Sequence, residues 1–305
     1  MNQVKHTTEA HVKANDIEIY YDTFGDPSDT PILLISGLGA QMLSWEEPFC
    51  HQLAKEGYWV IRFDNRDAGL STKFDKAGAP NVIEIIQQVE DLRTSVETGS
   101  IAELVRAPYT LLDMATDAVA LLDVLKVEAA HVVGASMGGM IAQTMAIHYP
   151  DRVRTLTSIM SAPELIFPEP EALEVLLSPP ANDRMEYIEN SIKHKHVLHG
   201  KFPVDEAYYR KHYERIYDRN YNPDGFTRQL VAIVASGSRR EELKKMKIPT
   251  LVVHGDADLL VPIKGGIDTA DSIPGAELKI IEGMGHSLPI EVVPQIIKAI
   301  SSHAV

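Results

Sequence analysis

The chain has 305 residues, 45% of them hydrophobic and 24% charged, which is ordinary for a globular protein with a full core. Its 29 basic and 43 acidic residues give a net charge of −14, which argues against nucleic acid or an anionic membrane as the main partner. The single cysteine, Cys50, excludes an internal disulfide framework and suits a reducing compartment. Residues 1–20 lack the apolar core of a signal peptide, and no run is long enough to span a bilayer, so we expect a cytoplasmic protein.

The first half of the chain alternates strand and helix patterns. Alternation predicts a strand exposed on one face at 17–21, and further strands are predicted at 31–35, 58–63, 130–134 and 153–159. Ser44 with Glu47 three residues later matches a capping box and predicts a helix over 45–56. Thr110 with Asp113 opens another predicted helix, whose apolar residues follow helical spacing. This alternation predicts an α/β fold, with a mostly parallel sheet covered by helices on both faces.

Residues 72–109 interrupt the alternation. The stretch 82–89 could form a helix, but Pro80, Gly99 and Pro108 break the segment. We therefore predict an irregular excursion here, close to the functional site.

The segment 161–247 contains no apparent buried strand. Its helical patterns are separated by prolines and cover 171–177, 184–196, 205–218 and 227–235. Strands resume at 248–254 and 277–281, with helices near 263–272 and 289–301. We therefore predict a core formed by 1–160 and 248–305, with 161–247 inserted as a helical cap over one edge of the sheet.

The central motif is Gly134-Ala-Ser136-Met-Gly138, which follows an apolar run and precedes a helical pattern that extends to His148. This G-x-S-x-G pattern is typical of a nucleophile elbow, in which a strand turns sharply into a helix and presents a serine oxygen at the apex. The turn crowds the positions two before and two after the serine, where glycine fits. Because the pattern is short, its meaning depends on partners further along the chain.

Candidate partners lie just past the last two predicted strands. Asp256 and Asp258 follow the first of these strands, and His286 follows the second. A serine hydroxyl becomes a good nucleophile when a base takes its proton and an acid holds that base in the right tautomer. Because the carboxyl ends of parallel strands share one edge of a sheet, Ser136, an aspartate and His286 can converge there.

From about residue 17 to residue 301 the chain resembles the α/β-hydrolase family. The residues that carry the resemblance are the turn Ser36-Gly-Leu-Gly39, Asp64-Asn-Arg66 with Gly69 and Ser71, the elbow at 134–138, Gly255-Asp-Ala-Asp258 with Pro262, and Gly285-His286. The family's chain order of serine, aspartate and histidine is the order found here. Within the family the chain resembles capped carboxylesterases, including esterases similar to the aclacinomycin methylesterases. Its elbow also resembles those of some carbon–carbon bond hydrolases.

The resemblance implies a role for each candidate residue. Ser136 would be the nucleophile and His286 the general base, and later the general acid. Asp258 would orient His286 and stabilise its cation. Asp256 is the alternative, but the family's acid usually falls three residues after the glycine, as Asp258 does.

The resemblance also implies an oxyanion hole built from backbone N–H groups, those of Leu38 and Met137. Many relatives have a His-Gly pair where this chain has Ser36-Gly37. This departure leaves the backbone donor in place, but a histidine-dependent orientation of the loop is not expected.

Other polar residues have simpler interpretations. Asp64 and Arg66 could bind substrate as a charged pair, but we favour a loop that braces the site. His194, His196 and His199 suggest a metal cluster at first sight, but positions two apart on a helix point to different faces and no acidic ligand is spaced to join them. Apolar residues of the inserted segment could line the substrate pocket or pack the cap itself: Leu165, Ile166, Phe167 and Leu176.

The leading hypothesis is a serine hydrolase that acts on small-molecule carboxylic esters through an acyl-enzyme, without metal or cofactor. A serine nucleophile excludes the haloalkane dehalogenase and epoxide hydrolase activities of the fold, which use a carboxylate. Carbon–carbon bond cleavage, lactone opening and perhydrolysis remain open because the same three residues serve them. A ligand receptor that retains the fold is the alternative from another class.

Overall fold

The computed structural model describes residues 4–81, 83–87 and 106–304. These residues form one eight-stranded sheet, with strands β1 (His6–Ala14), β2 (Ile17–Phe24), β3 (Thr30–Ile35), β4 (Tyr58–Phe63), β5 (Ala130–Ala135), β6 (Val153–Ile159), β7 (Thr250–Gly255) and β8 (Glu277–Ile281). Their order across the sheet is β1-β2-β4-β3-β5-β6-β7-β8. The pairs β1–β2 and β2–β4 are antiparallel, and the other pairs are parallel. The prediction of a mostly parallel α/β sheet is confirmed.

The helices connect and cover these strands. Those that lie wholly within the described ranges are α1 (Glu47–Lys55), α2 (Leu111–Val124), α3 (Met137–His148), α4 (Pro170–Leu176), α5 (Arg184–Leu198), α6 (Glu206–Arg219), α7 (Pro223–Ser236), α8 (Arg240–Leu243), α9 (Lys264–Ser272) and α10 (Val293–His303). Helices α4 to α8 follow one another between β6 and β7, where the predicted helical patterns lie. Over the part of the chain that the structure describes, no helix has the length and apolar character needed to cross a membrane.

Helix α2 confirms its predicted start. The Thr110 hydroxyl accepts the Asp113 N–H, and the Asp113 carboxylate in turn accepts the Thr110 N–H at 2.7 Å. The capping box expected for α1 is wrong, because that helix begins at Glu47 and Ser44 instead ends a short 3-10 turn. The Ser44 hydroxyl lies 3.3 Å from the Ser36 hydroxyl, so it serves the loop after β3.

Strand β1 is not predicted from the sequence. Its residues are mostly polar and largely exposed, and a bulge between Thr7 and Ala10 disturbs the alternation, so no apolar face marks it as a strand. It forms because its backbone pairs with β2 at the edge of the sheet. At the bulge Glu9 has a φ of 47° and donates its N–H to Asp22 Oδ1 at 2.7 Å.

The irregular excursion predicted over 72–109 is described only in part. A 3-10 turn covers 75–77, and 83–87 are helical within the stretch predicted as a possible helix. Residue 82 and residues 88–105 lie outside the described residues.

Two hydrophobic clusters pack the opposite faces of the sheet. Leu33 and Val132 pack on one face with residues of α2 and α3, whereas their neighbours Leu34 and Val133 pack on the other with residues of α1 and α10. Successive strand residues thus alternate between two buried faces, as expected for central parallel strands. With both faces covered, the carboxyl edge of the strands is where polar side chains can meet.

Candidate active site

The elbow at Ser136 joins β5 to α3 through a strained turn. Ser136 has φ 57° and ψ −123°, a conformation that non-glycine residues rarely adopt. A Cβ atom at Gly134 would lie 2.0 Å from the Gly138 carbonyl oxygen, and one at Gly138 would lie 2.0 Å from the Ile35 carbonyl oxygen. Both glycines of the motif are therefore required by close backbone contacts.

The structure brings Ser136, His286 and Asp258 into one hydrogen-bonded chain at the carboxyl edge of the sheet. His286 Nε2 lies 2.8 Å from Ser136 Oγ, and His286 Nδ1 lies 2.8 Å from Asp258 Oδ2. The other carboxylate oxygen, Asp258 Oδ1, accepts the N–H groups of Leu260 and Val261 at 2.9 Å each. The Asp258 side chain is completely buried, and that of His286 is 9% exposed. Such an arrangement can move a proton from the serine hydroxyl to the imidazole.

The two candidate aspartates have different surroundings. Asp256 is exposed, and its Oδ1 accepts the Gly283 N–H at 2.6 Å. It therefore holds the loop that leads to His286 and does not contact the imidazole. Of the two, only Asp258 is hydrogen-bonded to His286.

The turn after β3 lies directly against the elbow. A Cβ atom at Gly37 would be 3.2 Å from Ser136 Cβ, so only glycine lets the turn approach this closely without displacement. A hydrogen bond from the loop after β4 helps to fix this turn: the Asn65 side-chain amide donates to the Ser36 carbonyl at 3.0 Å. Within the described residues, the N–H groups of Leu38 and Met137 have no hydrogen-bond acceptor.

Gln229 of α7 is a residue that sequence reasoning missed. Its Oε1 accepts the Gly39 N–H at 2.7 Å, and its Nε2 donates to the Arg66 carbonyl at 2.7 Å. A completely buried glutamine thus ties α7 to the turn that faces Ser136. A polar residue on a predicted helix carries no signal for such a contact, because the partner is 190 residues away in the chain.

His254 at the end of β7 was also missed. The ring is completely buried, and Nε2 lies 2.7 Å from the Val261 carbonyl oxygen and 3.6 Å from Asp258 Oδ2. Burial holds the pKa of His254 below its usual range, so the ring is neutral and donates from Nε2 to the carbonyl. His254 therefore packs behind Asp258 as a neutral ring and leaves the carboxylate free to pair with His286.

The three histidines at 194–199 have separate partners. His194 Nε2 lies 3.2 Å from the Ser178 hydroxyl, and His196 Nε2 lies 2.8 Å from Glu206 Oε1. His199 is buried, with Nδ1 2.8 Å from the hydroxyl of Ser287, the residue after His286. Burial lowers the pKa of His199 to about 4, so it is neutral at physiological pH.

The backbone segments next to the His199–Ser287 contact are also hydrogen-bonded to each other. Gly200 and Met284 form an isolated β-bridge, and the Lys201 N–H donates to the Gly283 carbonyl at 2.8 Å. A Cβ atom at Gly285 would lie 2.4 Å from the Leu198 carbonyl oxygen. The end of α5 therefore packs directly against the loop that carries His286.

Asp64 and Arg66 brace the site rather than face it. Asp64 accepts the Met42 N–H at 2.7 Å and the Leu70 N–H at 2.9 Å, and it pairs with Arg219 at 2.8 Å. Arg66 forms a bidentate ion pair with Asp117 of α2: its Nε–H donates to Oδ2 at 2.6 Å, and its Nη2–H donates to Oδ1 at 2.8 Å. Both side chains are buried, in agreement with the bracing interpretation.

Among the apolar residues proposed to line a pocket or pack the cap, Leu165 and Ile166 pack against the cluster that contains α2 and α3. Ile166 Cδ1 would lie 2.9 Å from a Cβ atom at Gly265 of α9. These two side chains therefore anchor the start of the inserted segment to the rest of the chain.

Known proteins are similar to this chain in sequence. Two rhodomycin D methylesterases are similar along nearly the full length: one from a Streptomyces species is 29% identical over 96% of both chains, and one from Streptomyces peucetius is 28% identical over 95% of both.

Solved structures share the fold at lower identity. The enol-lactonase from Burkholderia xenovorans superposes with a TM-score of 0.71 at 22% identity, covering 96% of this chain and 99% of that one. A 2-hydroxy-6-oxo-6-phenylhexa-2,4-dienoate hydrolase from a Rhodococcus species superposes with a TM-score of 0.72 at 19% identity, covering 99% of each chain. Finally, residues 30–292 match the family model described as the alpha/beta hydrolase fold. The resemblance inferred from the motifs is confirmed, and the chain belongs to the α/β-hydrolase family.

Proposed function

We propose that the protein is a carboxylesterase that cleaves small-molecule esters through an acyl-enzyme intermediate. The observation that carries this proposal is the hydrogen-bonded chain Ser136–His286–Asp258, with both links at 2.8 Å. Ser136 stands at the apex of a strained elbow, with its hydroxyl oxygen hydrogen-bonded to the His286 imidazole.

The geometry supports the following sequence of steps. His286 Nε2 takes the proton of Ser136 Oγ as the oxygen attacks the ester carbonyl, and the buried Asp258 carboxylate stabilises the imidazolium that forms. The alcohol leaves with the proton returned by His286, and an acyl group remains on Ser136. Water then attacks the acyl-enzyme by the same route, which releases the acid and restores the serine.

The negative charge on the carbonyl oxygen requires donors fixed in advance. The N–H groups of Leu38 and Met137 fit this role because Met137 follows Ser136, Leu38 follows Gly37 in the turn that contacts Ser136, and neither N–H has an acceptor among the described residues. Gln229 and Asn65 hold the turn that carries Leu38, so the donors are preorganised. Loss of one such donor typically lowers kcat by about 100- to 1,000-fold.

The relatives suggest a class of substrate. The similar proteins from Streptomyces are named as rhodomycin D methylesterases, so we propose that methyl esters of small molecules are substrates here. We further propose that 161–247 form a cap over the core of 1–160 and 248–305 and shape the pocket. A cytoplasmic location, without nucleic acid or membrane as partner, agrees with the acidic charge and the single cysteine.

The proposal is tested by measuring turnover over a panel of p-nitrophenyl and methyl esters that vary in acyl length and alcohol bulk. We expect hydrolysis of short esters and a fall in kcat of about 10⁴-fold or more in Ser136→Ala. Ser302→Ala, at an exposed position on α10, is the matched control and should keep full activity.

Two outcomes would contradict the proposal. An active Ser136→Ala variant would overturn the mechanism. Absence of ester turnover together with hydrolysis of an enol-lactone or a dienoate would assign the site to one of the alternative reactions. Covalent labelling of Ser136 by a fluorophosphonate, located by peptide mass, tests whether the serine is activated independently of the substrate chosen.

A further inference from the structure

A second group of chemically active side chains lies between the first strand and the first helix, and it shares no residue with the candidate active site. His6 belongs to β1, and Glu47 and His51 belong to α1. One ligand atom of each residue lies within 4.8 Å of those of the other two. All three residues are partly exposed.

The positions follow from the local structure. Glu47 and His51 are four residues apart on α1, so they lie on the same face of the helix. The His6 ring is held by stacking on Phe24, with ring centroids 3.9 Å apart. His51 lies edge-on to both rings, with its centroid 6.0 Å from that of His6 and 5.1 Å from that of Phe24. The two imidazoles are therefore fixed side by side.

Contacts among the described residues leave one nitrogen of this group without a partner. His6 Nε2 is buried and has no hydrogen-bond partner among the described residues. The nearest carboxylate oxygen, Asp22 Oδ2, is 3.6 Å away, and it already accepts the Arg62 Nε–H at 3.1 Å. A buried polar atom without a partner is costly, so the contacts of the described residues leave the His6 imidazole with unused capacity to bind a ligand.

Glu47 is oriented by a separate contact. Arg215 of α6 donates to Glu47 Oε1 at 2.9 Å, and no described residue donates to Oε2. Metal-binding carboxylates are commonly held in this way by a second group that fixes their direction.

We propose that His6, Glu47 and His51 bind a divalent transition-metal ion, with Zn²⁺ as the first choice. Two imidazoles and one carboxylate form a set that suits Zn²⁺, whereas Mg²⁺ and Ca²⁺ prefer oxygen ligands alone. Zinc bonds of about 2.0–2.2 Å in a tetrahedron place ligand atoms about 3.4 Å apart. The three ligand atoms, which lie within 4.8 Å of one another, would have to move closer by side-chain rotation to reach this separation, and water would supply the fourth ligand.

The ion would be structural. It would join β1, an exposed edge strand, to α1, and through Glu47 and Arg215 it would also reach α6. Because the three ligands come together only in the folded chain, the ion raises the unfolding temperature in proportion to the logarithm of its free concentration.

Isothermal titration of the chelator-treated, full-length protein with ZnCl₂ tests the proposal. We expect one equivalent of Zn²⁺ to bind, and the affinity to fall by about 100-fold or more in His51→Ala, because even residues that merely support a ligand typically account for 10- to 100-fold. Glu47→Gln, which keeps the shape of the side chain, should weaken binding without endangering the fold. His11→Ala, which removes an exposed histidine from the same strand, is the matched control and should bind as the wild type does.

Thermal unfolding with and without Zn²⁺ gives a second readout that does not depend on enzymatic activity. The wild type and His11→Ala should be stabilised, and His51→Ala and Glu47→Gln should not. Equal zinc binding by the wild type and both ligand variants would overturn the proposal, as would the absence of a stoichiometric site in the wild type.

Discussion

The sheet edge and the helical segment between β6 and β7 contribute to the candidate site in different ways. At the sheet edge, Ser136 directly follows β5, and Asp258 and His286 lie in the loops that follow β7 and β8, so the order of the strands brings the three together. The helical segment is held partly by backbone contacts, such as the bridge between Gly200 and Met284, and partly by side chains, most clearly Arg228 of α7, which forms a completely buried ion pair with Asp67. The placement of the candidate catalytic residues therefore depends on the topology of the sheet, whereas the placement of the helices depends on contacts such as the Arg228–Asp67 pair.

The anchor at Asp67 illustrates the second kind of dependence. Its carboxylate accepts two hydrogen bonds from Arg228, at 2.7 and 2.8 Å, together with the Tyr109 hydroxyl at 2.7 Å and the Phe74 N–H at 2.8 Å. One carboxylate thus connects α7, the loop after β4 and the segment that precedes α2. Four experiments distinguish the two regions, from the largest expected effect to the smallest.

The largest effect is expected at the sheet edge. Asp258→Asn should lower kcat by about 10⁴-fold, because the amide stabilises the wrong tautomer of His286 and cannot stabilise its cation. Asp256→Asn should retain most of the activity, since the hydrogen bond that the Asp256 side chain accepts comes from the Gly283 N–H, and the amide oxygen of asparagine can accept it too. Steady-state kinetics on the best ester of the panel measures both. Equal losses in the two variants would contradict the assignment of Asp258.

Arg228→Met should lower the free energy of unfolding by about 3–5 kcal/mol, because it leaves the Asp67 carboxylate buried without its partner. Urea denaturation followed by circular dichroism measures the change. The double variant Arg228→Met/Asp67→Asn should recover part of the loss, because no uncompensated charge remains. Arg184→Met, which breaks an exposed pair with Asp218, is the control and should change stability little. A similar loss in both single variants would show that burial of the pair is not the cause.

His199→Ala tests the point where the two regions meet. Loss of the hydrogen bond to Ser287 frees the loop that carries His286, and misplacement of about 1 Å can lower the rate about 100-fold. We therefore expect kcat to fall about 10- to 100-fold with little change in KM, since His199 positions the base without touching substrate. His194→Ala, in the helix that ends just before His199, should have no such effect. A rise in KM at constant kcat would assign His199 to substrate binding instead.

The smallest effect concerns pH. Burial lowers the pKa of His131 in β5, and of His199 in the helical segment, from about 6.5 to about 4. As the pH falls, the unfolded chain binds these protons at a higher pH than the folded chain does. The contribution of the two neutral histidines to stability is therefore fully present above pH 6.5 and is lost as the pH drops towards 4. Urea midpoints at pH 7.5 and 5 measure the fall. His131→Gln should show a smaller fall than the wild type, and an equal fall would exclude His131 as a source.

The sequence allowed the sheet and the candidate site to be predicted because both depend on local patterns. Apolar runs marked the parallel strands, and Ser136, Asp258 and His286 each stood just after one of them. The exposed strand β1 has no apolar face and could not be found in this way. Ser44 matched a capping box, but its hydroxyl bonds across the loop to Ser36 instead.

The contacts of Gln229, His254 and His199 could not be predicted either. Each depends on which distant segment packs beside it: the turn after β3 for Gln229, Asp258 for His254 and Ser287 for His199. Local spacing specifies a helix or a strand end, but it does not specify the neighbour. The same limitation applies to the His6 site, whose partners are more than 40 positions away in the chain.

The backbone conformation of Ser136 has a consequence for how this protein responds to selection. A serine held at φ 57° and ψ −123° costs on the order of 1–3 kcal/mol, and glycine would adopt the same angles with less strain. Ser136→Gly should therefore unfold at a higher temperature than Ser136→Ala. A screen for heat resistance alone would favour loss of the nucleophile, so directed evolution of this chain must score turnover and stability together.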